Sequence, residues 1–479
     1  MSANSVVLGI DLGTTGVKVV CLDPRLGRII AAASTTYPSY SPHAGAHEQE
    51  PAEWWAAVVS TARQVIADVA PLRIEAVGLS GHMHTLLLVD DAGVPVSRAL
   101  TWAERRVGQD TARLAADIRF SERGCNEMTD VFTAPKLAWL ARTQPDAMAR
   151  ARHLLLAKDY IRYRLTGEWC TDETDAMATM LYDVRRREWV SDLWSAAGGS
   201  VDWAPRVVRS TEVSGVVSPS AASEIGLVAG TPVLGGAGDV SAAVLGTGVV
   251  DRDQICLNVG TAAQVMGLSQ APNPGPGFSF GSASDDGYIT MVSVYAAGAS
   301  IRWAERALLN GGDVNTPAAS AAAGSSGLTY LPFMFGSTVP RKNDAVRAAF
   351  IGQTESHGLP EFARAVIEGI AFGCAQAIEA VADVVGRPRE VRVVGGVSNS
   401  LIWRQTLASV LDVPIGVVAE GGSARGAAIC AALGTGHYSD ASDAARSVTV
   451  HREAEPDDGQ RAACADAYAA FRESANALV

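Results

Sequence analysis

Asp11-Leu12-Gly13-Thr14-Thr15-Gly16-Val17-Lys18-Val19-Val20 and Asn258-Val259-Gly260-Thr261-Ala262-Ala263-Gln264-Val265-Met266-Gly267 decide the fold. Each follows an apolar run (residues 6–10 and 255–257), passes through a Gly/Thr turn and enters further β-prone residues. That pattern predicts strand, tight turn, strand in both places. A second echo follows in the same order. Ala242-Ala243-Val244-Leu245-Gly246-Thr247-Gly248 returns as Cys430-Ala431-Ala432-Leu433-Gly434-Thr435-Gly436, each ending an Ala-rich helical stretch that follows a Gly-rich turn. With 47 glycines in the chain one match could be chance, but two in one order imply two related halves meeting near residues 249–251.

Outward from the first hairpin, the spacing predicts a helix over 54–69 and a buried strand over 74–79 running into a loop at 81–85. It also predicts a hairpin of residues 86–89 with 94–96, and helices over 135–142 and 160–165. Alternating strands and helices make the chain α/β. At 479 residues it is too long for one ordinary core, and 1–249 and 250–479 are the expected domains. Backbone N–H groups in a tight Gly/Thr turn converge on a point and bind phosphate oxygens. Two such turns facing across a cleft can hold one polyphosphate. No G-x-x-x-x-G-K-[ST] is present and no G-x-G-x-x-G follows the first strand, so neither a P-loop nor a dinucleotide fold is implied.

Lys and Arg number 39 against 51 Asp and Glu, a formal charge of −12, which excludes a general phosphate-backbone binder and makes nucleic acid an unexpected partner. Seven scattered cysteines, none in a C-x-x-C pair, read as small buried residues in a reducing compartment. Residues 254–284 carry no charge, but Gly, Pro, Asn and Ser interrupt them, so they do not read as a spanning helix. The N-terminus lacks a basic signal-peptide region. The expectation is a soluble, cytoplasmic protein with no membrane partner.

Several residues stand out for chemistry. Asp239 closes Gly235-Gly236-Ala237-Gly238 before an Ala-rich stretch, where a carboxylate can cap the helix or accept a proton; the helix dipole there favours the ionised form. Asp11, at the end of the first strand, either caps an Asx turn or meets a cation on phosphate. Lys18 is one of four lysines, and in strand alternation it can equally face solvent. His82 and His84 are spaced as metal ligands but have no evident third partner. Trp102 fits either the core or a sugar face, whereas Trp54 and Trp55 fit packing.

These segments resemble the actin/hexokinase/heat-shock-70 ATPase superfamily and, more narrowly, the FGGY carbohydrate kinases. Residues 10–18 and Val259-Gly260-Thr261 are similar to the family's two phosphate hairpins, and Gly235–Asp239 to its catalytic-base turn. The two family signatures are matched by Phe132-Thr133-Ala134-Pro135-Lys136-Leu137-Ala138-Trp139 and by residues 362–369. Gly298-Ala299-Ser300-Ile301-Arg302-Trp303 and Gly395-Gly396-Val397-Ser398-Asn399 resemble the nucleotide-side segments. Gly81-His82-Met83-His84 and Lys158-Asp159-Tyr160 bring the xylulokinase branch nearest.

The resemblance implies two actin-like (ribonuclease H-like) ATPase domains with a cleft between them, and ATP with Mg²⁺ as cofactors. It implies phosphorylation of a sugar hydroxyl, D-xylulose to D-xylulose 5-phosphate, with another ketose or a polyol as the alternative. An actin-like ATPase without a sugar substrate is the alternative outside the kinases, and a homodimer is compatible with either. Asp239 would be the base and Asp11 the magnesium ligand, directly or through water. Met83, His84, His82, Trp102 and Asp239 would touch the sugar. Gly13, Thr14, Thr15, Lys18, Gly260, Thr261, Gly298, Gly396 and Asn399 would hold ATP. The chain departs from that branch where Gly-Gln-Met-His-Gly becomes Gly81-His82-Met83-His84-Thr85 and Trp-Asn-Asp becomes Trp102-Ala103-Glu104. It departs again at Val240, which replaces an Asn, and at Gly336-Ser337-Thr338-Val339-Pro340, which replaces Gly-Glu-Arg-Thr-Pro. The reaction type is therefore better marked than the sugar.

Overall fold

The computed structural model describes residues 5–479. The chain forms two compact units. One comprises the residues up to Val250 with Phe280–Tyr288 and Glu420–Val448; the other comprises Asp251–Ser279, Ile289–Ala419 and Thr449–Val479.

In the first unit, Ser5–Gly13 pairs antiparallel with Gly16–Asp23, which pairs antiparallel with Arg28–Thr36. On its other side Ser5–Gly13 runs parallel to Arg73–Gly81, beyond which lie Pro232–Leu234 and, antiparallel at the edge, Val213–Val216. The central strands read as nearly unbroken apolar runs because both faces are covered. Leu8 and Ile10 pack in one cluster with Trp54, Val58 and Val65 of the Pro51–Val69 helix. Gly9 and Gly78, pointing the other way, lie against the Ser423–Gly434 helix.

The second unit repeats the plan. Gln254–Val259 pairs antiparallel with Ala263–Ser269 and parallel with Glu390–Val394, followed by Ile415–Val418. Tyr288–Val294 and Phe278–Gly281 extend the sheet beyond Ala263–Ser269, and Val450–Ala454 closes the opposite edge antiparallel. In both sheets the first strand is central, flanked on one side by its antiparallel hairpin partner and on the other by a parallel strand from further along the chain. The internal echo in the sequence is therefore a repeated sheet topology, the two actin-like domains expected. The Leu359–Val385 helix, whose 27 residues are long and apolar enough to cross a membrane, has 83% of its most apolar window buried and serves as a core helix.

Two local expectations change. Residues 86–96 do turn at Asp90, whose Oδ1 accepts from the N–H groups of Ala92 and Val94. The strand partner of Leu87–Val89, however, is His153–Leu155, with Val89 and Pro95 joined only by an isolated bridge. The helix read over 160–165 begins earlier, at Ala157.

The Ala/Gly-rich echo has a packing cause. The Asp239–Gly246 and Ser423–Gly434 helices, both in the first unit, meet backbone to backbone, and a Cβ on Gly426 would stand 1.8 Å from the carbonyl oxygen of Ala242. Gly426→Val should force the helices apart at a cost of about 1–3 kcal/mol. Thermal unfolding should show a lowered midpoint; an unchanged midpoint would disprove the contact.

Candidate active site

The first Gly/Thr turn lies where sequence placed it, with Gly13 paired to Gly16 and Asp11 to Lys18 across the hairpin. Its acceptors are taken from behind. The Tyr37 hydroxyl donates to the Gly13 carbonyl, Gln49 Nε2 donates to the Thr14 carbonyl at 2.7 Å, and the Tyr37 N–H reaches the Thr15 carbonyl at 3.4 Å. Trp102 Nε1 donates to Thr14 Oγ1 at 2.8 Å while its ring stays 38% exposed, so Trp102 is not a core residue. With carbonyls engaged, such a turn presents its amide edge, the chemistry an anion needs. Lys18 is exposed opposite Asp11 and adds positive charge on the same strand pair.

The loop after Arg73–Gly81 carries the histidines. His82 is 1% exposed and hydrogen-bonds Thr85 Oγ1 through Nδ1 at 2.6 Å, with its ring edge against Trp54. It belongs to the wall of the unit, and its Nε2 has no partner. Burial first, then His47 and His84, pushes its pKa down to about 3. His84 has a left-handed backbone, φ 65°, uncommon for a non-glycine residue and frequent at functional sites. Its Nδ1 lies 2.8 Å from the Ala178 carbonyl, which can only accept, so Nδ1 carries the proton and Nε2 is left as an acceptor. Burial holds its pKa near 3, so the ring is neutral. Phe132 and Phe280 flank it, and Met83 beside it is buried. Among the described residues no group of three or more His, Cys, Asp or Glu is arranged to hold a metal, and the two histidine rings have different neighbours, Trp54 for His82 and Phe132 and Phe280 for His84.

Asp239 is the first residue of its helix. Gly236, at φ 68°, makes the preceding turn possible, since a Cβ there would lie 2.0 Å from the Leu79 carbonyl oxygen. The helix terminus alone favours a carboxylate, as the sequence implied, but the environment outweighs it. Burial, then Asp11, then Asp175 raise the pKa of Asp239 to about 8, against weaker lowering by the Val240 and Met83 N–H groups. Asp11 is raised to about 6 by burial, opposed by Ser80 and Lys18, and its Oδ1 is buried without a hydrogen-bond partner. An orphaned carboxylate oxygen beside a phosphate-type turn suits a hard cation that brings its other ligands from water and phosphate.

In the second unit Gly260, Thr261, Gly298, Gly396 and Asn399 gather at one edge, because Gln254–Val259 and Glu390–Val394 run parallel and end together. Gly298 N–H donates to the Gly260 carbonyl at 3.0 Å and Ala299 N–H to the Thr261 carbonyl at 3.1 Å. This turn, too, has its acceptors occupied. Gly396 and Asn399 are exposed, with open space beside Gly396.

Sequence reasoning missed three features. Arg302 donates to Thr261 Oγ1 at 3.1 Å, giving the second turn a cation. Gln49 links the first turn to Trp54 Nε1, which donates to its Oε1 at 3.1 Å. The Lys158 ammonium lies 2.8, 2.6 and 2.7 Å from carboxylate oxygens of Asp159, Asp172 and Asp175, all fully or almost fully buried. The available signal was one of only four lysines in a short stretch holding three aspartates.

The comparisons with known proteins identify the family. Residues 6–246 match the N-terminal domain of the FGGY family of carbohydrate kinases, and residues 256–435 match its C-terminal domain. The xylulose kinase of Escherichia coli K12 is 34% identical over 414 residues, 84% of each chain. A crystal structure described as a xyloylose kinase from Brucella ovis superimposes with a TM-score of 0.91 at 29% identity, covering 99% of both chains. A gluconate kinase from Lactobacillus acidophilus gives the same TM-score at 26% identity, covering 99% of this chain and 98% of its own. Two actin-like domains with paired Gly/Thr hairpins thus place the molecule among sugar-phosphorylating ATPases. The chain belongs to the FGGY family of carbohydrate kinases, and it uses ATP to phosphorylate a small sugar.

Asp239→Asn isolates the protonation of that carboxyl. A carboxyl whose pKa is higher folded than unfolded contributes stability fully present below the unfolded value and lost as pH rises through the folded one. For Asp239 that window runs from about 4 to about 8. The Tm advantage of the Asn variant over the parent should therefore grow steadily from pH 4 to pH 8; a constant difference would contradict the buried, repelled carboxyl.

Proposed function

We propose that the protein transfers the γ-phosphoryl group of ATP to D-xylulose, giving D-xylulose 5-phosphate and ADP. The observation that carries this is Asp239. It is a carboxyl at a helix start whose proton affinity has been raised into the neutral range, adjoining Met83 and the Gly/Thr turn of the same unit. A general base works best with its pKa near the working pH, which an ordinary Asp cannot offer.

In the step itself the Asp239 carboxylate accepts the proton of the sugar hydroxyl as that oxygen bonds to the γ-phosphorus. The bond from phosphorus to the bridging oxygen breaks, and ADP carries the electron pair away. Gly13, Thr14, Thr15 and Lys18 would hold phosphate oxygens, as would Gly260 and Thr261, with Gly298, Gly396 and Asn399 serving adenosine. Asp11, with its unpartnered Oδ1, would hold Mg²⁺, which when bound neutralises charge on the phosphates. Met83 packs on the sugar carbons, neutral His84 accepts a hydroxyl through Nε2, and Trp102 lies over the ring or chain. His82 shapes that surface from within the wall. The D-xylulose assignment draws on the xylulose kinase relatives.

Asp239→Ala should lower kcat by ~10²–10⁴ with ATP binding retained, as read by a coupled ADP-release assay and by nucleotide titration; near-parental turnover would remove Asp239 from the role. A panel of pentuloses, hexuloses, polyols and gluconate in the same assay tests the sugar. D-Xylulose should give the highest kcat/KM, and preference for another acceptor would reassign the substrate while leaving the chemistry in place.

A further inference from the structure

The Lys158 cluster does more than fill the interior. Two cations, Lys158 and Arg162, face three carboxylates, Asp159, Asp172 and Asp175, with Arg162 joined to Asp159 and all five side chains shielded from water. Its members reach directly into the turn that carries Asp239. Arg162 donates to the Gly235 carbonyl, and Thr174 Oγ1, itself donating to Asp172, accepts from the Gly238 N–H at 2.8 Å. Asp172 Oδ2 accepts from the Thr174 N–H and hydroxyl, and its Oδ1 lies 2.6 Å from the Lys158 ammonium.

Asp175 is not fully used. One of its oxygens pairs with Lys158, but Oδ1 is buried with no hydrogen-bond partner, and it lies where a Cβ on Gly238 would come within 3.1 Å of it. A buried carboxylate oxygen left without a donor is costly, and such a group persists in a native fold when something else requires it. Here it is the surplus negative charge of the cluster, set against the residue that precedes the base.

We propose that Asp175 is a positioning residue for Asp239, its unpartnered carboxylate oxygen keeping the base turned outward toward the acceptor hydroxyl. The proposal rests on Asp239 being the base. Asp239 Oδ1 already accepts from the Val240 N–H at 2.9 Å, and repulsion from Asp175, which offers no donor, keeps the carboxyl from swinging back toward the cluster. The same proximity contributes to the raised proton affinity of Asp239. An amide at 175 would reverse this, since its NH₂ would donate to Asp239 and draw it inward.

Asp175→Asn tests the idea because a positioning role and a structural role predict opposite things. The variant keeps the shape and leaves two cations facing two carboxylates, so Tm should equal or exceed that of the parent. Turnover should fall by roughly 10-fold or more, as small misplacements of a reacting group do, with KM for ATP and sugar within about twofold. Asp172→Asn, which strips partners from Lys158 and Thr174, should instead lower Tm. Parental kcat in Asp175→Asn, a drop in its Tm or failure to fold, or the same behaviour from both variants would each overturn the proposal. Asp239→Ala run alongside separates the two claims. If it is inactive while Asp175→Asn turns over normally, only the positioning role fails; if it keeps turnover, the base assignment fails first.

Discussion

A tight turn can grip an anion only if its own carbonyl groups are kept out of the way. That constraint organises both units of this kinase. In the first, a tyrosine, a glutamine and a tryptophan come from separate segments to occupy the acceptors of Gly13, Thr14 and Thr15. In the second, the start of the Gly298–Leu308 helix does the same with two backbone N–H groups and Arg302. The solutions differ in chemistry and agree in outcome. The hairpins themselves are short-range structure that a repeated sequence can encode, but their usefulness to a phosphate depends on long-range partners that need the whole sheet to be assembled first.

Negative charge is the second organising theme. On the proposed reading, phosphoryl transfer brings a polyanion to a place where Asp11 and Asp175 already raise the proton affinity of Asp239. Desolvation raises the proton affinity of all three, opposed at Asp175 by Lys158 and at Asp11 by Lys18. The site stores this repulsion because the surrounding fold over-determines it: Lys158 and Arg162 fasten the acidic segment, and glycines let the 235–239 turn sit flush against the sheet. On the proposed reading, a cation on Asp11 and a proton on Asp239 are the two ways of discharging it.

What the sequence made legible follows from the range over which each feature is determined. The doubled strand–turn–strand, the Ala-rich helices and the glycine turn before Asp239 are contiguous patterns, and each stands where its residues place it. The Asp90 turn was local and therefore visible, whereas the pairing of Leu87–Val89 with His153–Leu155 depends on a segment some sixty residues away. The His82-x-His84 pair looked like one motif, because residues two apart in an extended segment face the same side, but the strand ends at Gly81 and the left-handed backbone of His84 breaks that alternation. His82 went into the wall and His84, through a left-handed backbone, to the aromatic pocket. The ionisation of Asp239 was hidden for the same reason, because a helix terminus is local while the acids that outweigh it come from two other elements.

The departures from the xylulokinase pattern sharpen when placed in the structure. Glu104, standing where the branch has an aspartate, is buried and committed to Arg106 and to the His47 N–H, so it is a brace for the loop that presents Trp102. Val240 is 7% exposed and its side chain offers no polar atom beside Asp239; only its N–H does, donating to Asp239 Oδ1 at 2.9 Å. Thr85, in place of glycine, is consumed by His82. The polar groups at these positions serve the supporting wall, so on the proposed reading Asp239, His84 and the Trp102 ring are what remain to meet the acceptor. A site that reads few hydroxyls discriminates weakly among acceptors that share a primary alcohol and a similar carbon skeleton, since strong rejection requires buried polar groups that a wrong substrate would leave unpaired. On the proposed reading, moving the phosphoryl group and recognising the sugar are therefore separable properties of one fold, the first set by the two turns and Asp239, the second by the few residues around His84.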